Sequence, residues 1–241
     1  MPRFYLDHAL EIGTHCELPE DLSHHIGVLR LKVGDTITLF NGRGGEFNAT
    51  LSLIEKCRVT ADVKTFDARE AEPGHALTLA QALPEGSKMD WVIEKAVELG
   101  VTAIQPLIAA RSVVRLNDER ANKKLMHWRS IVASAAAQCG RNRLPSVAMP
   151  QAFSSWIDQH DLHPRIVLSP RGQQSLTHWA KHRPPQAITL IIGPEGGLSE
   201  TEEQAAVARG ALCLSMGSRV LRTETAGIAA MAALHALWGE F

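Results

Sequence analysis

The sequence predicts an α/β protein in two parts, a small β-barrel followed by a domain built on a parallel sheet. Three observations predict it. Short apolar runs divided by turn residues fill roughly the first seventy positions. Beyond them, strand and helix patterns alternate. Between the two lies a polar stretch that stops on proline and glycine, DAREAEPGH at 67–75. The boundary is placed at Pro73, giving domains 1–73 and 74–241. A chain of 241 residues with 45% hydrophobic content can bury a sizeable core.

In the first part the predicted strands are TITLF (36–40), EFNATLSLI (46–54) and RVTADV (58–63), and NGRGG (41–45) reads as a hairpin loop. One short helix is expected at EDLSHHIGVL (20–29). In the second part ALTLAQ (76–81), AIQPLI (103–108), RIVLS (165–169), AITLIIG (187–193) and ALCLS (211–215) are strands. Helices are expected at 87–100 and 118–139, and after the later strands. Such sheets hold ligands at the carboxyl ends of their strands.

Composition narrows the function. Cys16, Cys57, Cys139 and Cys213 are too scattered for a zinc knuckle or redox pair, and the eleven histidines show no metal spacing, so no metal is expected. No stretch reads as a signal peptide or a membrane span, which predicts a cytoplasmic protein with no membrane partner. The net charge of −1 says nothing about nucleic acid, but eight basic residues against two acidic ones between Arg111 and Arg143 give a local net of +6. That segment suits a phosphate-tracking surface, with a solvated helix face as the plainer explanation for Lys123 and Lys124.

The stretch LIIGPEGGLSETEE (190–203) ends a strand in a glycine turn and starts a helix, with Ser199 and Glu202 spaced as a capping box. It lacks the lysine of a P-loop and the three glycines of a dinucleotide fingerprint, and Glu195 would repel phosphate. A cationic ligand such as an adenosine bearing a sulfonium fits better, beside a purely structural turn. LSMGSRVLRTETAGIAAMAALHALW (214–238) supplies a second glycine turn and a helix dense in small residues that Thr223 or Thr225 could cap. Arg219 and Arg222, set beside Val220 and Leu221, would need partners if buried.

IIGPEGGLS followed by MGSRVLRTETA resembles the signature of the ribosomal RNA small subunit methyltransferase E family, SPOUT enzymes that methylate N3 of a uridine in the decoding region of 16S rRNA. HHIGVLRLKVGD and FNG resemble that family's N-terminal barrel, QALPEGSKMDWVIEKAVELGVTAIQPL its first catalytic-domain motif, and AAAQCGRNRLP a further one. Glu85 and Ala137 depart from the pattern, which has a lysine and a glutamate there. The resemblance implies a PUA-like β-barrel that binds RNA, then a SPOUT domain with a parallel sheet, a deep trefoil knot and a homodimer interface. It also implies S-adenosyl-L-methionine as cofactor and 16S rRNA or the small ribosomal subunit as partner.

Carried onto this sequence, the cofactor residues are Leu168, Ser169, Gly193, Glu195, Gly197, Leu214, Met216, Gly217, Val220, Leu221, Thr223 and Thr225. Candidate catalytic residues are Arg222 as stabiliser of the uracil anion, Glu195 as base or cofactor orienter, and Lys95 and Arg141 as helpers on the RNA side. Arg3, Arg30, Lys88, Arg111, Arg115, Arg129 and Arg141 are candidate RNA contacts. The sequence leaves the catalytic base open. An RNA-binding ribosome assembly factor without methyl transfer is the competing expectation.

Overall fold

The computed structural model describes residues 1–56, 58–114, 116–159 and 163–241, and counts of elements and partners are of those residues. The chain forms two compact units, one of Met1–Glu72 with Ala136–Leu144 and one of Pro73–Ala135 with Pro145–Phe241.

The first unit contains β1 (Arg3–Tyr5), β2 (His15–Leu18), α1 (Glu20–Val28), β3 (Thr36–Phe40), β4 (Glu46–Ile54) and β5 (Val59–Asp67). Its five-stranded sheet runs β1-β3-β4-β5-β2, parallel between β1 and β3 and antiparallel elsewhere. The two end strands are not paired with each other, so the barrel stays open. Alternation along β4 turns Phe47, Ala49 and Leu51 inward against Val59, Ala61 and Val63 of β5. The expected hairpin loop joins β3 to β4, and Gly45 there has φ of +65° with the Phe66 ring 2.3 Å from where a Cβ would stand.

Residues 136–144, which the sequence pattern gives to the second domain, pack with the first. Arg141 is 3% exposed and its Nε donates to Glu72 Oε1 at 3.0 Å. Asn142 is fully buried, donating to Arg69 O and accepting from Arg3 Nη2, both at 2.7 Å. Buried polar groups must be paired, and here their partners lie about seventy or more positions away, beyond what local pattern reveals.

The second unit contains β6 (Leu77–Ala82), α2 (Lys88–Glu98), β7 (Ala103–Ile108), α3 (Asp118–Cys139, its last turn belonging to the first unit), β8 (Ser146–Val147), β9 (Gln151–Ala152), α4 (Phe153–Ile157), β10 (Arg165–Leu168), β11 (Gln174–Ser175), α5 (Leu176–Lys181), β12 (Ile188–Ile192), α6 (Glu200–Ala208), β13 (Leu212–Ser215) and α7 (Thr223–Trp238). The sheet runs β11-β13-β10-β12-β6-β7-β8 with every pair parallel, and β9 also pairs with β7. Strand β12 is buried at every position, as a strand covered on both faces must be, which accounts for the unbroken apolar run ITLII.

The sequence order reverses between β12 and β6, so these neighbouring strands send their following loops apart. Helix α7 packs on α2 and α5, with Gly227 close enough to the sheet that a Cβ would meet Leu79 Cδ1 at 3.0 Å. No helix among the described residues is long and apolar enough to cross a membrane, and no group of three acids, histidines or cysteines there could hold a metal ion.

Candidate active site

A cavity of about 630 Å³ lies at the carboxyl ends of β10, β12 and β13. Its walls are residues 168–171, residues 192–198, and the run 216–226 without Ser218 and Thr225, together with Arg111 and Glu203. Each wall has a local cause. Ser169 N donates to Leu214 O at 2.9 Å, and the backbone of β13 passes so close that a Cβ on Gly172 would stand 2.5 Å from Leu214 C.

The glycine turn is drawn tight by Gly197 N donating to Pro194 O at 2.8 Å, and a Cβ on Gly193 would stand 2.6 Å from Leu198 N. Gly197 and Gly217 have φ of +69° and +97°, the left-handed region that disfavours a side chain. The expected capping box closes α6, with Ser199 N donating to Glu202 Oε2 and Glu202 N to Ser199 Oγ.

The expected threonine cap on α7 is absent: Arg222 is the N-cap residue and makes no side-chain capping bond. Thr223 is buried, donates its hydroxyl to Gly193 O at 2.6 Å and accepts from Gln81 Nε2 at 2.9 Å. The hydroxyl thus ties the start of α7 to the glycine turn and to β6.

Charge around the cavity is mostly paired. Glu195 Oε1 accepts from Lys88 Nζ at 2.6 Å and from Glu85 N at 3.0 Å. Burial works against its charge, but these donors outweigh it and hold the carboxyl below its ordinary range. The same ion pair raises Lys88. Arg171 and Glu203 pair at 2.8 Å, and Arg111 Nη1 donates to Gly196 O at 2.7 Å. Arg219 and Arg222 are exposed on the wall with no side-chain partner among the described residues, and Glu224 Oε2 is buried without one.

Of the residues singled out from sequence, Leu168, Ser169, Gly193, Glu195, Gly197, Met216, Gly217, Val220, Leu221, Arg222 and Thr223 line this cavity. Leu214 is buried and off the wall, and contributes its carbonyl to the tie with Ser169. Thr225 is exposed and off the wall. Lys95 is held by Glu94 and Glu98 on its own helix, both at 2.7 Å, and does not reach the cavity. Arg141 is spent inside the first unit on Glu72.

Arg3 is likewise committed there, to Glu46 and Asn142. Arg30 and Arg129 are exposed, Lys88 is tied to Glu195, and Arg111 lines the cavity. Arg115 lies outside the described residues. Glu224 was missed, although it stands inside the RTETA run, an acid between two threonines at a helix start. Arg171 and Glu203 are 32 positions apart and carried no local signal.

Residues 71–235 match the RNA methyltransferase domain, and residues 18–64 match the RNA methyltransferase PUA domain. The Bacillus subtilis ribosomal RNA small subunit methyltransferase E is 33% identical over 231 residues, covering 93% of this chain and 90% of that protein. The crystal structure of the Neisseria gonorrhoeae ribosomal RNA small subunit methyltransferase E bound to S-adenosyl methionine superposes with a TM-score of 0.91 at 39% identity, over 99% of this chain and 98% of that one. A Legionella pneumophila methyltransferase in complex with the same cofactor gives 0.92 at 36% identity, over 98% and 97%.

Proposed function

Because this chain belongs to the RNA methyltransferase family of ribosomal RNA small subunit methyltransferase E, an S-adenosylmethionine-dependent rRNA methyltransferase family, we propose that it methylates N3 of a uridine in the decoding region of 16S rRNA. It does so as a cytoplasmic homodimer. The observation that carries this is the cavity at the strand ends, about 630 Å³ and walled by two glycine turns, free guanidinium groups and a paired acid. A volume of that order suits a ligand the size of an adenosine joined to an amino acid.

The residues present fit the cofactor. Gly193 leaves no space for a side chain, and Gly197 and Gly217 hold φ values that favour none, so backbone amides and carbonyls can face adenine and ribose. Glu195 puts negative charge where a sulfonium would be welcome. Bound there, S-adenosylmethionine supplies an electrophilic methyl group.

The chain's own groups do the remainder. Arg222, on the wall with its guanidinium engaged by no other described residue, would stabilise the anion that forms when the uracil imide loses its proton. Glu195, fixed by Lys88 and the Glu85 amide, orients the turn and the cofactor side of the site. Exposed Arg30 and Arg129 are candidate phosphate contacts.

We further propose that the chain knots here. Strand β13 lies on the far side of β10 from β12, yet α7 returns to pack against β12 and β6, and Thr223 bonds the carbonyl that opens the loop after β12. Homodimerisation would use the alanine-rich side of α7, where Ala229, Ala232 and Ala233 remain partly exposed.

The test is methylation of small subunits from a strain lacking this gene with isotopically labelled S-adenosylmethionine, followed by mass mapping of the 16S rRNA. Label on N3 of one uridine is expected. Tight RNA binding with no label would favour an assembly factor, and label on another atom would overturn the assignment. Light scattering at micromolar protein should give twice the chain mass, and a monomer would refute the dimer.

A further inference from the structure

The uridine-N3 reading requires a group that takes the imide proton. A candidate must line the cavity, be able to hold a proton, and have a lone pair not already claimed. Among the described wall residues there is no histidine, cysteine, tyrosine or lysine, and the four arginines stay charged. The hydroxyls of Ser169 and Thr223 are engaged with Arg171 N and with Gly193 O and Gln81.

Three acids remain. Glu195 is bound by Lys88 and the Glu85 amide, and Glu203 by Arg171 at 2.8 Å and 3.1 Å. Glu224, in the first turn of α7, lines the cavity beside Arg222, and its Oε2 is buried with no hydrogen-bond partner. A buried carboxylate oxygen without a donor is costly and uncommon, which marks it as a place a ligand donor fills.

We infer that Glu224 is the catalytic base, the carboxylate that receives the uridine N3 proton. As the N3–methyl bond forms, the methyl–sulfur bond breaks and its electron pair stays on sulfur, giving S-adenosylhomocysteine. The proton passes from N3 to the Glu224 carboxylate and then to solvent. Arg222, the residue two before it, balances the negative charge spread over the uracil ring during that transfer.

This inference rests on the uridine-N3 reading, and the experiment separates the two. Single-turnover methylation at saturating cofactor and RNA is measured for the parent and for Glu224→Gln, Glu224→Asp and Glu224→Ala, with cofactor affinity by calorimetry. Thermal unfolding confirms that each variant is folded. Glu224→Gln should lose about 100-fold or more in rate, the scale of general-base catalysis, while binding cofactor within about threefold of the parent. Glu224→Asp should retain part of the rate, and formate should restore part of it to Glu224→Ala. A folded Glu224→Gln at the parent rate overturns the inference. So does a variant whose loss is a weakened cofactor affinity, with full rate once cofactor saturates. If the parent itself places methyl on an atom other than uridine N3, the function reading fails instead.

Discussion

Replacing Gly193 by alanine puts the glycine turn to its sharpest test. The new Cβ would stand 2.6 Å from Leu198 N and 2.8 Å from Gly197 C, both backbone atoms that no rotamer change can move aside. Ordinary contact begins near 3.4 Å, so the turn must open by roughly 0.8 Å. Opening it strains two bonds, Gly197 N to Pro194 O at 2.8 Å and Thr223 Oγ1 to Gly193 O at 2.6 Å. At about 1 kcal/mol each, their loss comes to about 2 kcal/mol, or about 30-fold in an equilibrium constant.

Because those bonds shape the cavity wall, the Kd for S-adenosylmethionine should rise at least tenfold by titration calorimetry. Gly210→Ala is the control: its φ of +86° makes alanine strained, nothing lies within 4 Å of its Cβ position, and it is off the cavity wall. It should cost about 1 kcal/mol of stability and leave affinity unchanged. A folded Gly193→Ala that binds within threefold of the parent would refute the role given to the turn.

Arg222→Ala should keep RNA affinity and lose at least tenfold in single-turnover rate at saturating RNA; a parent rate under those conditions would remove it as anion stabiliser. Arg111→Ala should weaken cofactor binding severalfold, since its guanidinium holds Gly196 O at 2.7 Å, and should also flatten the salt dependence of RNA binding if the same group touches a phosphate. Intact cofactor affinity in that variant would return Arg111 to a purely RNA-facing role. In the first unit burial disfavours the charge of Glu46, but Arg69 and Arg3 overcome it and hold the carboxyl at about 2 against an ordinary 4.5. A depressed carboxyl contributes above its unfolded value and fades as pH falls toward the folded one, so Glu46→Gln should cost about 2 to 3 kcal/mol at pH 7 and progressively less from pH 4.5 down. Urea unfolding at pH 7 and pH 3.5 checks this, and a cost independent of pH would count against it.

Much of this molecule is legible because its signals are local. The apolar run ITLII between turn residues announces a buried strand, GPEGGLSETE announces a turn and a capped helix, and both stand where expected. Side chains whose partners are distant in sequence were not legible. Thr223 looked like a helix cap, because a threonine before an alanine-rich run is one by default, yet Gly193 O and Gln81 claim its hydroxyl. Arg141 looked like an RNA contact because its neighbours are basic, and Glu72 draws it inside. Cation counts along a segment cannot tell a guanidinium that faces solvent from one that neutralises a buried acid. The division of labour among Glu195, Glu203 and Glu224 depends in the same way on which of them a lysine or arginine reaches.

The return of residues 136–144 to the first unit has a consequence for synthesis on the ribosome. A chain that has emerged only to Glu72 contains all five strands of the barrel but lacks Arg141 and Asn142. Glu72 is then without its guanidinium, and the Arg69 carbonyl and Arg3 without their amide partner. The strands of the barrel are therefore made before residues 136–144 and wait for about seventy more residues before their polar interior is satisfied. Vectorial folding of this protein is set by the later segment, and a fragment cut at the linker would carry Glu72, Arg69 and Arg3 without the partners that residues 136–144 supply within the same unit.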